Sequence, residues 1–258
     1  MTKLIFIEGI SGVGKSTMVR KICEDLTLAG KTVKGYVEFD YTNPIDFYCV
    51  AYYTTAEYEN LCTKYEQYKD LILKNTVDAR SAKLIHYFDE DTPLFEEPLL
   101  SEFMKREFCY NPQNPVTLQV YSEAYTAVWK NFISSLKNDV DYIIFDGSLL
   151  HHPINDMIRN YGATKKQVFG HIQKLLATLD KTEHCVYYLK TEDIVTQLSQ
   201  AYIDRGQQPP DSSEITFWKK RYDYDSFVLN HIDQEYQVFD VKNKWDAVKN
   251  EILNSITS

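Results

Sequence analysis

Short, densely apolar runs along this chain alternate with stretches in which apolar residues return every three or four positions. Lys3–Ile7 (KLIFI) is apolar on both faces and predicts a buried parallel strand. Thr32–Phe39, Asp141–Phe145 (DYIIF), Cys185–Leu189 (CVYYL) and Tyr236–Val241 (YQVFDV) predict four more. Helical spacing over about 15–29, 117–136, 164–179, 191–203 and 244–256 predicts the helices between and after them. Gly30 fits the C-terminal stop of the first helix, and Thr191 reads as an N-cap followed by acidic residues. Strands separated by helices predict an α/β fold: a five-stranded parallel sheet with helices on both faces, a three-layer sandwich.

The rhythm breaks over about 41–115. That stretch predicts a helical insertion, with helices near 44–75, 76–88 and 98–108 and a breaker at Asn111–Pro115. There is no internal repeat or low-complexity segment. The 258 residues therefore read as a single domain, 1–258, carrying this insertion.

Composition narrows the class. The hydrophobic share of 44% and charged share of 25% are those of a globular protein. A formal charge of -9 argues against a duplex nucleic-acid partner. No apolar run approaches the ~20 residues needed to span a bilayer, and no signal-peptide pattern opens the chain. Five cysteines without metal-ligand spacing predict free thiols, with Cys185 in the core, and a cytoplasmic setting. The 20 tyrosines gather at 36–66 and 202–236, where they either pack a half-wet subdomain or stack on a flat substrate.

The chemistry starts at Gly9-Ile10-Ser11-Gly12-Val13-Gly14-Lys15-Ser16, which matches GxxxxGK[ST] between a predicted strand and a predicted helix. Glycines there let backbone N–H groups turn inward on phosphate oxygens. Lys15 can reach the β- and γ-phosphates, the Ser16 hydroxyl can coordinate magnesium, and Thr17 can support the α-phosphate. ATP and Mg2+ are the implied ligands. Asp146, at the end of the third predicted strand, is a second magnesium candidate or a cap for the next helix. Glu38, with Asp40 on the same predicted strand face, can accept a proton from an attacking hydroxyl, join the magnesium shell or simply be a solvated strand end. Arg205 heads the turn-rich segment Arg205–Pro210, where it can close on a transferring phosphoryl group or simply end a helix. Lys219, Lys220 and Arg221 read as a solvated helix face, one of which can point at phosphate. His151-His152 are adjacent, so they do not share a helix face for a metal. Tyr121, Tyr125 and Trp129 form a core stripe, with Gln119 placed to read a base edge.

These elements in this order resemble the P-loop nucleoside and nucleotide kinases, most closely the deoxynucleoside kinase and thymidylate kinase branch. FIEGISGVGKST at 6–17, with Glu8 before the first glycine, is similar to that branch's loop. The resemblance implies a catalytic carboxylate at Glu38, a lid at about 204–214 beginning at Arg205-Gly206, and an adenine-binding loop near Val241–Asn243. Two positions depart from it: Gly147 stands where the family carries an arginine, and the lid shows one arginine. The implied activity is ATP- and Mg-dependent transfer of the γ-phosphate to a small-molecule hydroxyl or phosphate, a nucleoside or nucleotide above all. A kinase of another small molecule, such as an antibiotic, and a nucleotide-hydrolysing regulatory ATPase are the alternatives. The partner is then a small-molecule acceptor, with a homodimer left open.

Overall fold

The computed structural model describes residues 2–113, 116–242 and 244–257. The chain opens with β1 (Lys3–Gly9), α1 (Lys15–Leu28) and β2 (Val33–Tyr36). Next come β3 (Val50–Thr54), α2 (Thr55–Lys64), α3 (Lys69–Lys74), β4 (Thr76–Ala79), β5 (Ala82–His86), β6 (Phe88–Asp89), β7 (Thr92–Pro93), α4 (Leu99–Met104) and α5 (Leu118–Ser135). It closes with β8 (Tyr142–Asp146), α6 (His151–Tyr161), α7 (Lys165–Leu176), β9 (His184–Lys190), α8 (Ile194–Asp204), α9 (Ser212–Leu229), β10 (Gln237–Asp240) and α10 (Trp245–Thr257). Two compact units result: residues 1–38, 136–155 and 164–258 form the first, and residues 39–135 and 156–163 the second.

The first unit is the expected α/β architecture. Its sheet runs β10-β9-β1-β8-β2, all parallel. β1 lies in the middle, and Leu4, Ile5, Phe6 and Ile7 are all fully buried. Successive side chains of a strand point to opposite faces, so both faces of the sheet are covered. One face joins Ile5, Ile7, Ile144, Tyr187 and Leu189 to Met18, Ile22 and Leu26 of α1, Leu198 of α8, Trp218 of α9 and Ile252 of α10. On the other, Phe6, Phe145 and Tyr36 stack in series at 5.3 Å.

The second unit corrects the expected helical insertion. It holds a three-stranded antiparallel sheet, β3-β5-β4, and its helices are shorter than predicted. The predicted helix at 76–88 is a hairpin whose turn passes through Arg80 at φ 65. Arg-Ser in that turn carries none of the glycine or asparagine that normally announces one. The predicted helix at 44–75 begins only at Thr55, where Thr54 and Glu57 form a capping box. Before it, Val-Ala-Tyr-Tyr-Thr pairs as a strand, a pairing decided by β5 more than thirty residues on. The predicted breaker falls partly on Asn114 and Pro115, which lie outside the described residues. Tyr121, Tyr125 and Trp129 are buried in this unit, as their spacing predicts.

Candidate functional site

The loop between β1 and α1 is shaped by its glycines. Gly12 and Gly14 sit at φ 82 and 91, where a side chain is strained. A Cβ at Gly9 would meet the Leu189 carbonyl at 2.5 Å, and one at Gly14 would meet the Trp245 indole nitrogen at 2.8 Å. Gln197 of α8 donates to the Gly12 carbonyl at 2.7 Å and pins the loop from outside. No side chain caps α1. Its first-turn N–H groups, which carry the positive end of the helix dipole, are thus left for an anion.

Lys15 is buried, and its ammonium folds back onto its own loop, donating to the Ile10 carbonyl at 3.1 Å. Burial holds its pKa down, and the charges of Asp146, Glu38 and Glu8 oppose that effect. Its Nζ also lies 3.4 Å from His151 Nδ1. That nitrogen is 2.9 Å from the Gly9 carbonyl, which only accepts, so it carries the hydrogen and donates there. The imidazole stacks on Trp218 at 5.5 Å and 13°. Burial first, then the Lys15, His152 and Arg221 charges, keep His151 neutral by holding its pKa well below 6.5.

Ser16 donates its hydroxyl to Asp146 Oδ2 at 2.5 Å, bringing two hard oxygen donors together. The same carboxylate oxygen lies 3.4 Å from the Glu38 backbone N–H. The two oxygens fit a magnesium ion: their types suit it, and two protein donors leave room for water and phosphate oxygens. Asp146 therefore faces the loop instead of capping α6.

Several sequence expectations change here. The second strand ends at Tyr36, not Phe39, so Glu38 and Asp40 do not share a strand face. Phe39 turns the chain at φ 65. Asp40 is committed to an Asx turn, accepting from the N–H and hydroxyl of Thr42 at 2.9 and 2.7 Å. Glu38 stays half-buried beside Asp146 and within electrostatic reach of Lys15. Arg205 ends α8 with its side chain exposed, held by no hydrogen bond or ion pair among the described residues. The loop at 205–211 is shorter than the expected 204–214 because α9 starts at Ser212, capped by Asp211. The cap of α8 is Asp193, not Thr191. Cys185 is half-buried, and all five cysteines are free thiols. Of the supposed adenine-binding loop, Asn243 lies outside the described residues. Gln119 is exposed and donates to Glu123 on its own helix.

Arg221 is the largest correction: it is completely buried, not solvated. It pairs with Asp225 and donates from Nε to Asn155 at 2.8 Å and from Nη2 to the Leu150 carbonyl at 3.0 Å. Tyr188 of β9 donates to the other Asp225 oxygen at 2.7 Å. Burial lowers the Arg221 pKa to about 10. The Arg–Asp pair at i,i+4 was the only local signal of this network. Glu8, also fully buried, accepts the N–H groups of Leu149 and His151 at 2.8 and 3.0 Å and ties β1 to the start of α6. Gly147 sits at φ 69, where a Cβ would come within 2.7 Å of His151 Cβ and 3.3 Å of Lys15 Cε.

Neither a family model nor a curated protein matches the sequence. Among solved structures, the chain is similar to a thymidylate kinase from Candida albicans, described as revealing the origin of broad substrate specificity and a novel structural element. The TM-score is 0.47 and the identity 14%, covering 98% of this chain and 93% of that one. It is similar as well to a deoxyadenosine kinase from M. mycoides, solved with bound dATP, at a TM-score of 0.46 and 16% identity over 99% and 100%. No helix among the described residues is long and apolar enough to cross a membrane.

Proposed function

We propose that the first unit binds ATP with magnesium and transfers the γ-phosphate to a small-molecule hydroxyl. The observation that carries this is the phosphate loop: an uncapped 14-residue helix, preceded by left-handed glycines, with a buried lysine and a serine–aspartate oxygen pair at its mouth. The loop N–H groups hold the phosphates. Lys15 exchanges the Ile10 carbonyl for phosphate oxygens, a move of the ammonium alone. Ser16 and Asp146 would hold the magnesium ion, which neutralises charge on the β- and γ-phosphate oxygens. Glu38 accepts the proton of the attacking hydroxyl as its oxygen bonds the γ-phosphorus. The bond to the β–γ bridging oxygen breaks, and ADP leaves. Arg205, uncommitted and on a loop, supplies charge to the phosphoryl group in flight.

The resemblance names a nucleoside or nucleotide as acceptor. Gly147 speaks for a different hydroxylated molecule, because its backbone and its packing on His151 and Lys15 leave no place for the family's arginine. The test is ATP consumption against a panel of nucleosides, nucleotides and amino alcohols, with water alone as baseline and Lys15→Ala as control. We expect one class to stimulate turnover and Lys15→Ala to lose it by ~10²–10³-fold. Water-only turnover that no acceptor raises would replace the kinase with a hydrolytic switch.

A further inference from the structure

The ammonium of Lys15 is under-bonded. It carries three hydrogens and is buried, yet among the described residues its one carbonyl acceptor is Ile10, at 3.1 Å. Asp146, Glu38 and Glu8 act on it through their charge, with no ion pair to it among the described residues. A buried ammonium whose hydrogens are unmet is unfavourable, so an anion that meets them is bound the more tightly.

The group beside it withholds an acceptor. His151 Nδ1 stands 3.4 Å from Lys15 Nζ and 2.9 Å from the Gly9 carbonyl oxygen. Its hydrogen goes to that oxygen, so this nitrogen has no lone pair to offer the ammonium. The same bond occupies the Gly9 carbonyl, one residue before the carbonyl that Lys15 uses. The ring is neutral, which the place requires, since an imidazolium would repel the ammonium.

The first unit holds this ring in position with its own residues. The His151 backbone N–H donates to Glu8 Oε2 at 3.0 Å, so residues 8 and 9 are tied to His151 through its backbone and its side chain in turn. The imidazole lies nearly flat on Trp218, whose indole N–H donates to Glu214 at 3.0 Å. Gly147, with no side chain, leaves room for both partners: a Cβ there would come within 2.7 Å of His151 Cβ and 3.3 Å of Lys15 Cε.

We propose that His151 is a positioning residue for the nucleotide phosphates: its Nδ1–H holds the Gly9 carbonyl and keeps the Lys15 ammonium unsatisfied until phosphate oxygens arrive. This rests on the reading that the first unit binds ATP. On binding, Lys15 turns to the β- and γ-phosphate oxygens, and neither the ring nitrogen nor the Gly9 carbonyl competes for it.

Two substitutions separate this role from packing. His151→Asn puts an amide N–H where Nδ1–H stands and removes the stack on Trp218. His151→Phe keeps a flat ring on Trp218 and removes the N–H. ATP affinity with magnesium is measured by calorimetry on the full chain, with thermal midpoints showing that each variant is folded. His151→Phe should weaken ATP by about ten- to a hundredfold, the range for a hydrogen bond to a charged group, and His151→Asn by less than about threefold. Imidazole nitrogen NMR supplies a reading on the parent itself, independent of any variant's folding: the signal assigned to His151 should be that of the Nδ1–H tautomer. An Nε2–H tautomer, a His151→Asn protein that binds ATP no better than His151→Phe, or a His151→Phe protein that binds as the parent does would each overturn the role. A parent that binds no ATP overturns the phosphate-site reading, and this role with it. ATP binding that no acceptor converts into consumption overturns transfer and leaves the role of His151 standing.

Discussion

Glu8 makes the stability of the phosphate loop's support depend on pH, with a sign that can be worked out. Its side chain is fully buried, and burial raises its pKa from 4.5 to about 7; the Leu149 and His151 N–H bonds and the Lys15 and His152 charges pull it back only in part. The folded chain therefore holds this proton where the unfolded chain has lost it. The stabilisation is full below pH 4.5 and is lost as pH rises through about 7. At 1.36 kcal/mol per unit, the loss is about 3 kcal/mol. Glu8→Gln removes the titration while keeping the size. His151 runs the other way: its folded pKa lies well below 6.5, so stability falls progressively as pH drops from 6.5 toward that folded value. Both proteins carry His151, so it cancels in their difference. Urea unfolding followed by circular dichroism at pH 5, 6, 7 and 8 gives the stabilities. The stability of the parent relative to Glu8→Gln should fall by about 3 kcal/mol from pH 5 to pH 8. Parallel curves would show that Glu8 is ionised throughout and that its two backbone bonds outweigh burial.

Asp146→Asn should raise the magnesium requirement sharply and weaken metal-free nucleotide binding little; calorimetry with and without magnesium decides, and equal losses would make Asp146 structural. Gly147→Ala places a Cβ 2.7 Å from His151 in a left-handed backbone and should cost about 2–4 kcal/mol, read as a lowered thermal midpoint; an unchanged midpoint contradicts that packing. Glu38→Gln should bind ATP as the parent does and lose ~10²–10⁴-fold in acceptor-dependent turnover, whereas normal turnover moves the base elsewhere. Arg205→Ala should spare ATP affinity and slow transfer, with little rescue by Arg205→Lys because a point charge does not reproduce the planar fork. Equal slowing of water-only hydrolysis would assign the arginine to hydrolysis instead.

The first unit was legible in the sequence because its signals are local. A buried parallel strand is an unbroken apolar run, which marks the central β1, β8 and β9, whereas the edge strands β2 and β10 are mostly exposed and carry a weaker signal; a phosphate loop needs glycines at fixed spacing, so Gly9–Ser16 announced itself. The predicted helices of this unit fell within a few residues of α1, α7, α8 and α10, where caps and spacing agree. The second unit was misread because short strands are decided by partners far along the chain. Val50–Thr54 is a strand because β5 pairs with it, and the turn at Arg80 carries no glycine to mark the hairpin. Burial was likewise beyond the sequence. Nothing in Lys219-Lys220-Arg221 says that two of these cations face water while the third lies sealed between Asp225, Asn155 and Leu150. The same holds for Glu38 and Asp40, which sequence spacing left as equals. The strand ends at Tyr36, Asp40 spends its carboxylate on Thr42, and Glu38 alone stays beside Asp146. Residue types and spacing fix which chemistry is available, but desolvation and contact between distant segments depend on tertiary packing, and those decide which of the available groups is placed to act.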